Sequence, residues 1–240
     1  RPDVLNSFNR SMALALQAEL DKARHDKNIR AVLITGNGKA FCAGQDLSEA
    51  IDASGPGIKN IVEEHYNPII TRLRHIEKPI VSAVNGVAAG AGANIALACD
   101  IVIASEQASF IQAFSKIGLI PDSGGTYFLP RLIGTQRASA LMMLGDKVSA
   151  NDALQMGMLY KVTSADKLME DALAITHQLA AMPTKALAYT KQLIYMSASN
   201  NLEKQLEAEG ELQVKSAATY DYNEGVNAFL EKRPAVFKGE

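Results

Sequence analysis

Apolar positions along the chain change period several times, and each change predicts an element. Met12, Leu14, Leu16 and Leu20 read as the apolar face of a helix capped by Asn6 or Ser7 and ending near His25. Arg30 to Gly36 (RAVLITG) is a compact β-branched run and predicts a buried strand. Pro79–Val84 and Asp100–Ala104 predict two more strands, and Ser109–Gln112 a short fourth. Between them lie a small-residue loop from Gly36 to Gly44 and a loop-like stretch at 50–60 broken by Gly55-Pro56-Gly57. A helix is expected from Val62 to Ile76, with Pro68 beginning a second piece of it. Another is expected from Ile95 to Cys99. Beyond Gly125 the pattern is largely helical: Ser149-Ala150-Asn151-Asp152 caps one helix, Pro183-Thr184 opens another in its first turn, and Asp221–Lys232 closes the series. Strands alternating with helices in the first half predict an α/β fold with a parallel sheet.

Composition narrows this picture. With 240 residues, 48% hydrophobic and 21% charged, the chain can build a real core and is not charged enough for a disordered one. Its length suggests one large domain, or a domain with an appendage. Net charge is −2 and no run of Lys or Arg exceeds two, so no positive field recruits nucleic acid or an anionic membrane. The apolar stretches fall short of a membrane span, and no charged-then-apolar leader opens the chain. It begins Arg1-Pro2 without a Met, which suggests a missing upstream part. Cys42 and Cys99 match no metal knuckle or redox pair; a disulfide stays open, with reduced thiols in a cytoplasmic protein the expectation. His25, His65, His75 and His177 stand apart from one another, so no metal site is expected.

Three segments carry candidate chemistry. In Phe41-Cys42-Ala43-Gly44-Gln45-Asp46-Leu47 the small residues allow close approach, and the Ala43 N–H can point into a cleft; taken alone, the segment is more simply an ordinary strand-to-helix turn. Gly86 to Asn94 leaves the backbone bare where a helix begins, which suits a developing anion as well as it suits tight packing on a sheet. Its spacing is not Gly-x-Gly-x-x-Gly, which argues against a dinucleotide fold. In Leu119–Thr126, Asp122 sits between Pro121 and Ser123-Gly124-Gly125; burial would raise its carboxyl into a usable range, although a helix cap near Gly124 is the simpler role.

Together these segments resemble the crotonase (enoyl-CoA hydratase/isomerase) superfamily over essentially the whole chain. Phe41–Leu47 is similar to that family's first oxyanion loop. Lys78-Pro79 through Gly92, with Cys99-Asp100-Ile101-Val102, is similar to its second. Ile120–Thr126 with Leu129-Pro130-Arg131 resembles its active-site turn, and Glu224 through Arg233 with Phe237 its C-terminal helix. The resemblance implies a spiral of ββα units over residues 1–180 and a C-terminal helical trimerisation region over 181–240. It also implies that an opening hairpin before Arg1 is lacking. Carried over residue by residue, it implies Ala43 and Ala91 N–H groups as an oxyanion hole, each such donor typically worth about 3 kcal/mol of barrier. Gly44, Gln45, Asp46, Leu47 and Gly90 would meet coenzyme A or the thioester. Phe229 and Lys232 would reach a ligand on a neighbouring subunit of a homotrimer or dimer of trimers. Coenzyme A would be part of the substrate, with no separate cofactor.

Departures from the family point to the reaction. Hydratases of this superfamily carry two glutamates that hold and activate water, and here those positions are Asn94 and Phe114. An amide cannot take a proton at neutral pH and a phenyl ring offers no such group. Asp122 remains as the one acid, enough for an isomerase that removes a proton from one carbon and returns it to another, while Phe114 helps exclude water. Val4–Asn9, Tyr66-Asn67-Pro68 and Ala113–Asp122 are similar to a branch that isomerises ring-1,2-epoxyphenylacetyl-CoA to an oxepin thioester in phenylacetate degradation. The alternatives are a Δ3,Δ2-enoyl-CoA isomerase, residual hydration, a dehalogenase-like nucleophile at Asp122, and a non-catalytic RNA-binding or scaffold protein, which the near-neutral charge disfavours. Tyr66 reads as a buried aromatic on a helix, at least one of Met142 and Met143 as plain core, Cys42 as packing rather than a nucleophile, and Asp46 as a loop-fixing residue.

Overall fold

The β-branched runs do form strands, and each of the first three is followed within a few residues by a second, shorter strand belonging to another sheet. The computed structural model describes residues 1–240. Strands β1 (Val32–Thr35), β3 (Ile80–Val84), β5 (Ile101–Ser105) and β8 (Lys161–Thr163) lie in that order in a wholly parallel sheet. Strands β2 (Ala40–Cys42), β4 (Val87–Ala89), β6 (Ser109–Ile111) and β7 (Lys147–Ser149) form the second sheet, with only β7 antiparallel. Each strand–strand–helix pass thus adds one strand to each sheet, which is the expected spiral of ββα units. All five residues of β3 are buried. A central parallel strand is covered on both faces, so its sequence reads as a continuous apolar run rather than an alternating one.

Helix α1 (Arg10–His25) starts later than expected, because Asn9, not Asn6 or Ser7, caps it by accepting the Met12 N–H at 3.0 Å. Asn6 instead takes a left-handed conformation (φ 56°) and is buried, its amide donating to the carbonyls of Asn37 and Ala40 at 2.8 Å each. The buried face of α1 is Ala13, Gln17, Leu20 and Ala23, and Leu14 is exposed. Positions 12, 14 and 16 alternate, so they cannot share one helical face. Residues 50–60 are not simply loop: α2 (Leu47–Ile51) and α3 (Gly57–Asn60) occupy part of them. The helix expected over 62–76 is two pieces, a π-helical turn (Ile61–Tyr66) and then α4 (Asn67–His75), with Pro68 in the first turn of the second. The π turn buries His65 and Tyr66 completely.

Helix α5 (Ala91–Leu97) begins earlier than the predicted Ile95, after Gly90 turns the chain at φ 53°. Every residue of α5 is buried. A Cβ on Gly92 would lie 2.4 Å from the Cys42 carbonyl oxygen, so only glycine lets α5 approach β2 this closely. The small-residue segment therefore serves packing as well as baring a helix terminus.

The second half is helical as expected, through α6 (Gly125–Ile133), α7 (Thr135–Leu144), α8 (Ala150–Met156), α9 (Leu168–Ala181), α10 (Thr184–Ser197), α11 (Leu202–Ala217) and α12 (Tyr220–Glu231). The exceptions are β7 and β8, each too short to show in the apolar pattern. Ser149 caps α8 by accepting the Asp152 N–H. Pro183 precedes the first turn of α10 and takes the cap position, so Thr184 is the first helical residue. The main core fills the space among the two sheets and α1, α4 and α5. A smaller core, with Val81, Ala83 and Ile103 against Leu168 and Ala172, seats α9 on the parallel sheet. The C-terminal tail is tied back by Arg30, which donates to the Thr184 hydroxyl and to the carbonyls of Met182 and Phe237. No helix is long and apolar enough to cross a membrane.

Candidate active site

Where β2 ends, residues 43–46 run alongside Phe8. The Phe8 N–H donates to the Gly44 carbonyl at 2.7 Å, and the Phe8 carbonyl accepts the Asp46 N–H at 2.8 Å. Gln45 lies between those two bonds, so its own N–H is directed away from Phe8 and meets no acceptor in the chain. Ala43 is different: its N–H donates to the Leu5 carbonyl at 3.0 Å. The expectation that the Ala43 N–H is open to a ligand is therefore corrected, because a neighbouring strand segment occupies it. The available donor is two residues further on.

The second available donor is Ala91, the first residue of α5, whose N–H likewise has no acceptor in the chain. Helix first-turn N–H groups point outward unpaired and carry partial positive charge. The two donors belong to stacked pieces of backbone, since a Cβ on Gly44 would sit 3.0 Å from the Ala89 carbonyl oxygen and 3.7 Å from the Ala91 nitrogen.

Asp122 arrives from a third direction, on the turn between β6 and α6. The cap of α6 is Gly124, and it is the Asp122 carbonyl, not its carboxylate, that accepts the Gly125 N–H at 2.9 Å. The carboxylate is thus free of the capping role and has one hydrogen bond, from the Ser123 hydroxyl at 2.9 Å. Asp122 is half-buried. Burial pushes its carboxyl above the ordinary carboxylate value, with the Ser123 hydroxyl and its own backbone N–H pulling the other way.

Asn94 joins the acid to the oxyanion helix: its Nδ2 donates to the Asp122 carbonyl at 2.8 Å. The Phe114 ring is buried and lies against Gly90. Tyr66 is fully buried; its hydroxyl donates to Gln45 Oε1 at 2.7 Å, and Gln45 Nε2 donates to Glu49 at 3.0 Å. Burial, followed by the charge of Asp122, pushes the Tyr66 phenol far above its ordinary value. Tyr66 is thus core, as expected, yet it also grips the side chain of a donor residue. No local pattern announces this grip, because it joins the loop before α2 to the π-helical turn.

Asp46 fixes its own loop, accepting from the Ser48 N–H and hydroxyl and from Arg1, and these partners hold its carboxyl below the usual range. Leu47 is exposed on the first turn of α2. Cys42 and Cys99 are buried free thiols, which closes the disulfide alternative. Burial pushes Cys42 up to about 11 and Cys99 up to about 12, so neither is a thiolate at neutral pH. Of the expected site residues, Gly44, Gln45, Asp46, Gly90, Ala91, Phe114 and Asp122 come together. Phe229 and Lys232 do not join them within the chain: Phe229 is exposed in a groove with Pro183, Val226 and Phe237, and Lys232 ends α12 in a left-handed conformation.

The Enoyl-CoA hydratase/isomerase family model matches residues 1–240. The 1,2-epoxyphenylacetyl-CoA isomerase of Escherichia coli is 46% identical, over 100% of this chain and 93% of that protein. The trans-2-decenoyl-[acyl-carrier-protein] isomerase of Streptococcus mutans is 37% identical, over 100% and 92%. A crystal structure of an enoyl-CoA hydratase from Polaromonas superposes with a TM-score of 0.90 at 35% identity, covering 99% of this chain and 93% of that one. Full-length similarity and two free backbone donors bridged to a half-buried acid lead to one assignment: the chain belongs to the enoyl-CoA hydratase/isomerase family.

Proposed function

We propose that the chain is an acyl-CoA isomerase that converts ring-1,2-epoxyphenylacetyl-CoA to oxepin-CoA, with Asp122 as its proton carrier. The observation that carries this reading is the absence of a second free acid beside Asp122. Asn94 and Phe114, both buried, stand where hydratases of the family have glutamates. Glu49, the other acid near Gln45, already accepts from the Arg10 N–H and the Gln45 amide. The relative at 46% identity supports the aromatic epoxide as substrate.

The thioester oxygen would sit between the N–H groups of Gln45 and Ala91. Charge builds on that oxygen as the neighbouring carbon loses a proton, and each preorganised donor is worth about 3 kcal/mol there. Asp122 takes the proton. The carbon–carbon bond shared by epoxide and ring opens to the seven-membered oxepin, and Asp122 returns the proton to a ring carbon, so no atom is gained or lost. Raised proton affinity suits both halves of the transfer. Phe114 keeps water off the enolate. Backbone at Gln45, Asp46 and Leu47 would meet the adenine end of coenzyme A, itself part of the substrate. Exposed Phe229 and Leu230 support a C-terminal region that meets further copies in a trimer or paired trimers, bringing Phe229 and Lys232 to a neighbour's ligand.

A second reading, Δ3,Δ2-enoyl-CoA isomerase, needs the same shuttle between two carbons of an aliphatic chain, and the 37% identical acyl isomerase favours it. The test is incubation with ring-1,2-epoxyphenylacetyl-CoA, a 3-enoyl-CoA and crotonyl-CoA, each followed by mass and ultraviolet absorbance. The first should give a new absorbance at unchanged mass, faster than the second, and crotonyl-CoA should gain no water. Hydration at a rate matching isomerisation would overturn the proposal.

A further inference from the structure

We infer that Asn94 is a positioning residue that sets the separation between the acid and the oxyanion helix, with Gln112 as its anchor. This rests on the isomerase reading above and extends it to two residues with no proton chemistry of their own. Asn94 is 1% exposed and stands one helical turn after Ala91 on α5, so it moves with that donor. Its Nδ2 donates to the Asp122 carbonyl at 2.8 Å, and its Oδ1 accepts from Gln112 Nε2 at 2.8 Å. The amide orientation follows from the partners. A carbonyl only accepts, so Nδ2 must face Asp122 and Oδ1 is left for Gln112.

Two further observations point to placement rather than stability. Gln112 is 4% exposed, and with Nε2 committed to Asn94 its Oε1 is buried without a partner. An unpaired buried acceptor is a cost to the fold, retained here beside the acid. The turn also rests directly on the amide: a Cβ on Gly125 would lie 2.4 Å from Asn94 Nδ2. Asn94 therefore holds the Asp122 peptide from one side while the Gly125 N–H holds it from another. The carboxylate takes no part in either bond and meets the Ser123 hydroxyl instead. A backbone held from two sides sets where the carboxyl stands relative to the Ala91 donor, which moving a proton between two carbons requires.

The test measures exchange of the α-protons of phenylacetyl-CoA in D2O, which reports enolate formation without the ring step, alongside steady-state turnover and melting temperature. Asn94→Ala should slow exchange and kcat about ten- to hundredfold, as small misplacement of a reacting group does, with KM little changed. Gln112→Leu keeps the Asn94–Asp122 bond but removes its anchor, so it should show the same split more weakly, and it carries the test if Asn94→Ala does not fold. Folded variants with wild-type exchange overturn the inference, and so does a rise in KM that accounts for the whole loss. A wild-type protein that neither exchanges nor isomerises overturns the isomerase reading itself.

Discussion

Replacing Asp122 by asparagine keeps the shape of the side chain and removes its proton affinity. The bonds that place the residue survive, because Asn94 and the Gly125 N–H both hold the backbone carbonyl. The Ser123 hydroxyl can still donate to an amide oxygen in place of the carboxylate. The free N–H groups of Gln45 and Ala91 are untouched, so thioester binding should persist. A positioned acid–base group is worth about 10²–10⁴ in rate, or about 2.7–5.4 kcal/mol of barrier. Asp122→Asn should therefore lower kcat by that factor with KM little changed.

The same change should stabilise the fold. Burial raises the Asp122 carboxyl above its ordinary value of 3.8, so the folded chain holds a proton that the unfolded chain has released. Across the window from that value up to the raised one, stability falls as pH rises, and it stays lower above the window. Asparagine has no charge to bury. The variant should melt at or above the wild-type temperature at pH 8, with the difference shrinking as pH falls toward the ordinary carboxylate value. Calorimetry at several pH values, with turnover followed by absorbance, reads both effects. Turnover within tenfold of wild type, or loss of acyl-CoA binding in step with loss of rate, would refute the assignment of Asp122.

Two other substitutions probe the supporting structure. Gly125→Ala drives a methyl to 2.8 Å from Asn94 Cγ and closer to its nitrogen, and such overpacking costs about 1–3 kcal/mol. A lowered urea midpoint together with reduced kcat is expected, and an unchanged midpoint would contradict the close approach. Cys42→Ala should retain turnover, because the thiol is buried and pushed up to about 11 with no general base hydrogen-bonded to it. Native protein should likewise resist iodoacetamide at pH 8; inactivation blocked by acyl-CoA would reverse that conclusion.

Among the elements, those that bury themselves on both faces were legible in the amino-acid order. Ile80–Val84 and Ile101–Ser105 stand out because a central parallel strand needs an unbroken apolar run. The break at Pro68 and the Ser149 cap follow from local backbone chemistry. Strands β2, β4, β7 and β8, of three residues each, were not legible. Three residues are too few for a period, and their strand character comes from the neighbour they pair with.

The candidate site divides along the same line. By itself the sequence determined which groups can carry charge or a proton: an acid at 122, an amide at 94, a phenyl ring at 114, and bare backbone on either side of Gly44 and Gly90. Only the tertiary structure decided which N–H is free. Pairing with Leu5 and Phe8 occupies Ala43 and leaves Gln45 open, and the early start of α5 bares Ala91. Chemical character belongs to each residue alone, whereas an unpaired donor is defined by what distant chain segments do and do not reach.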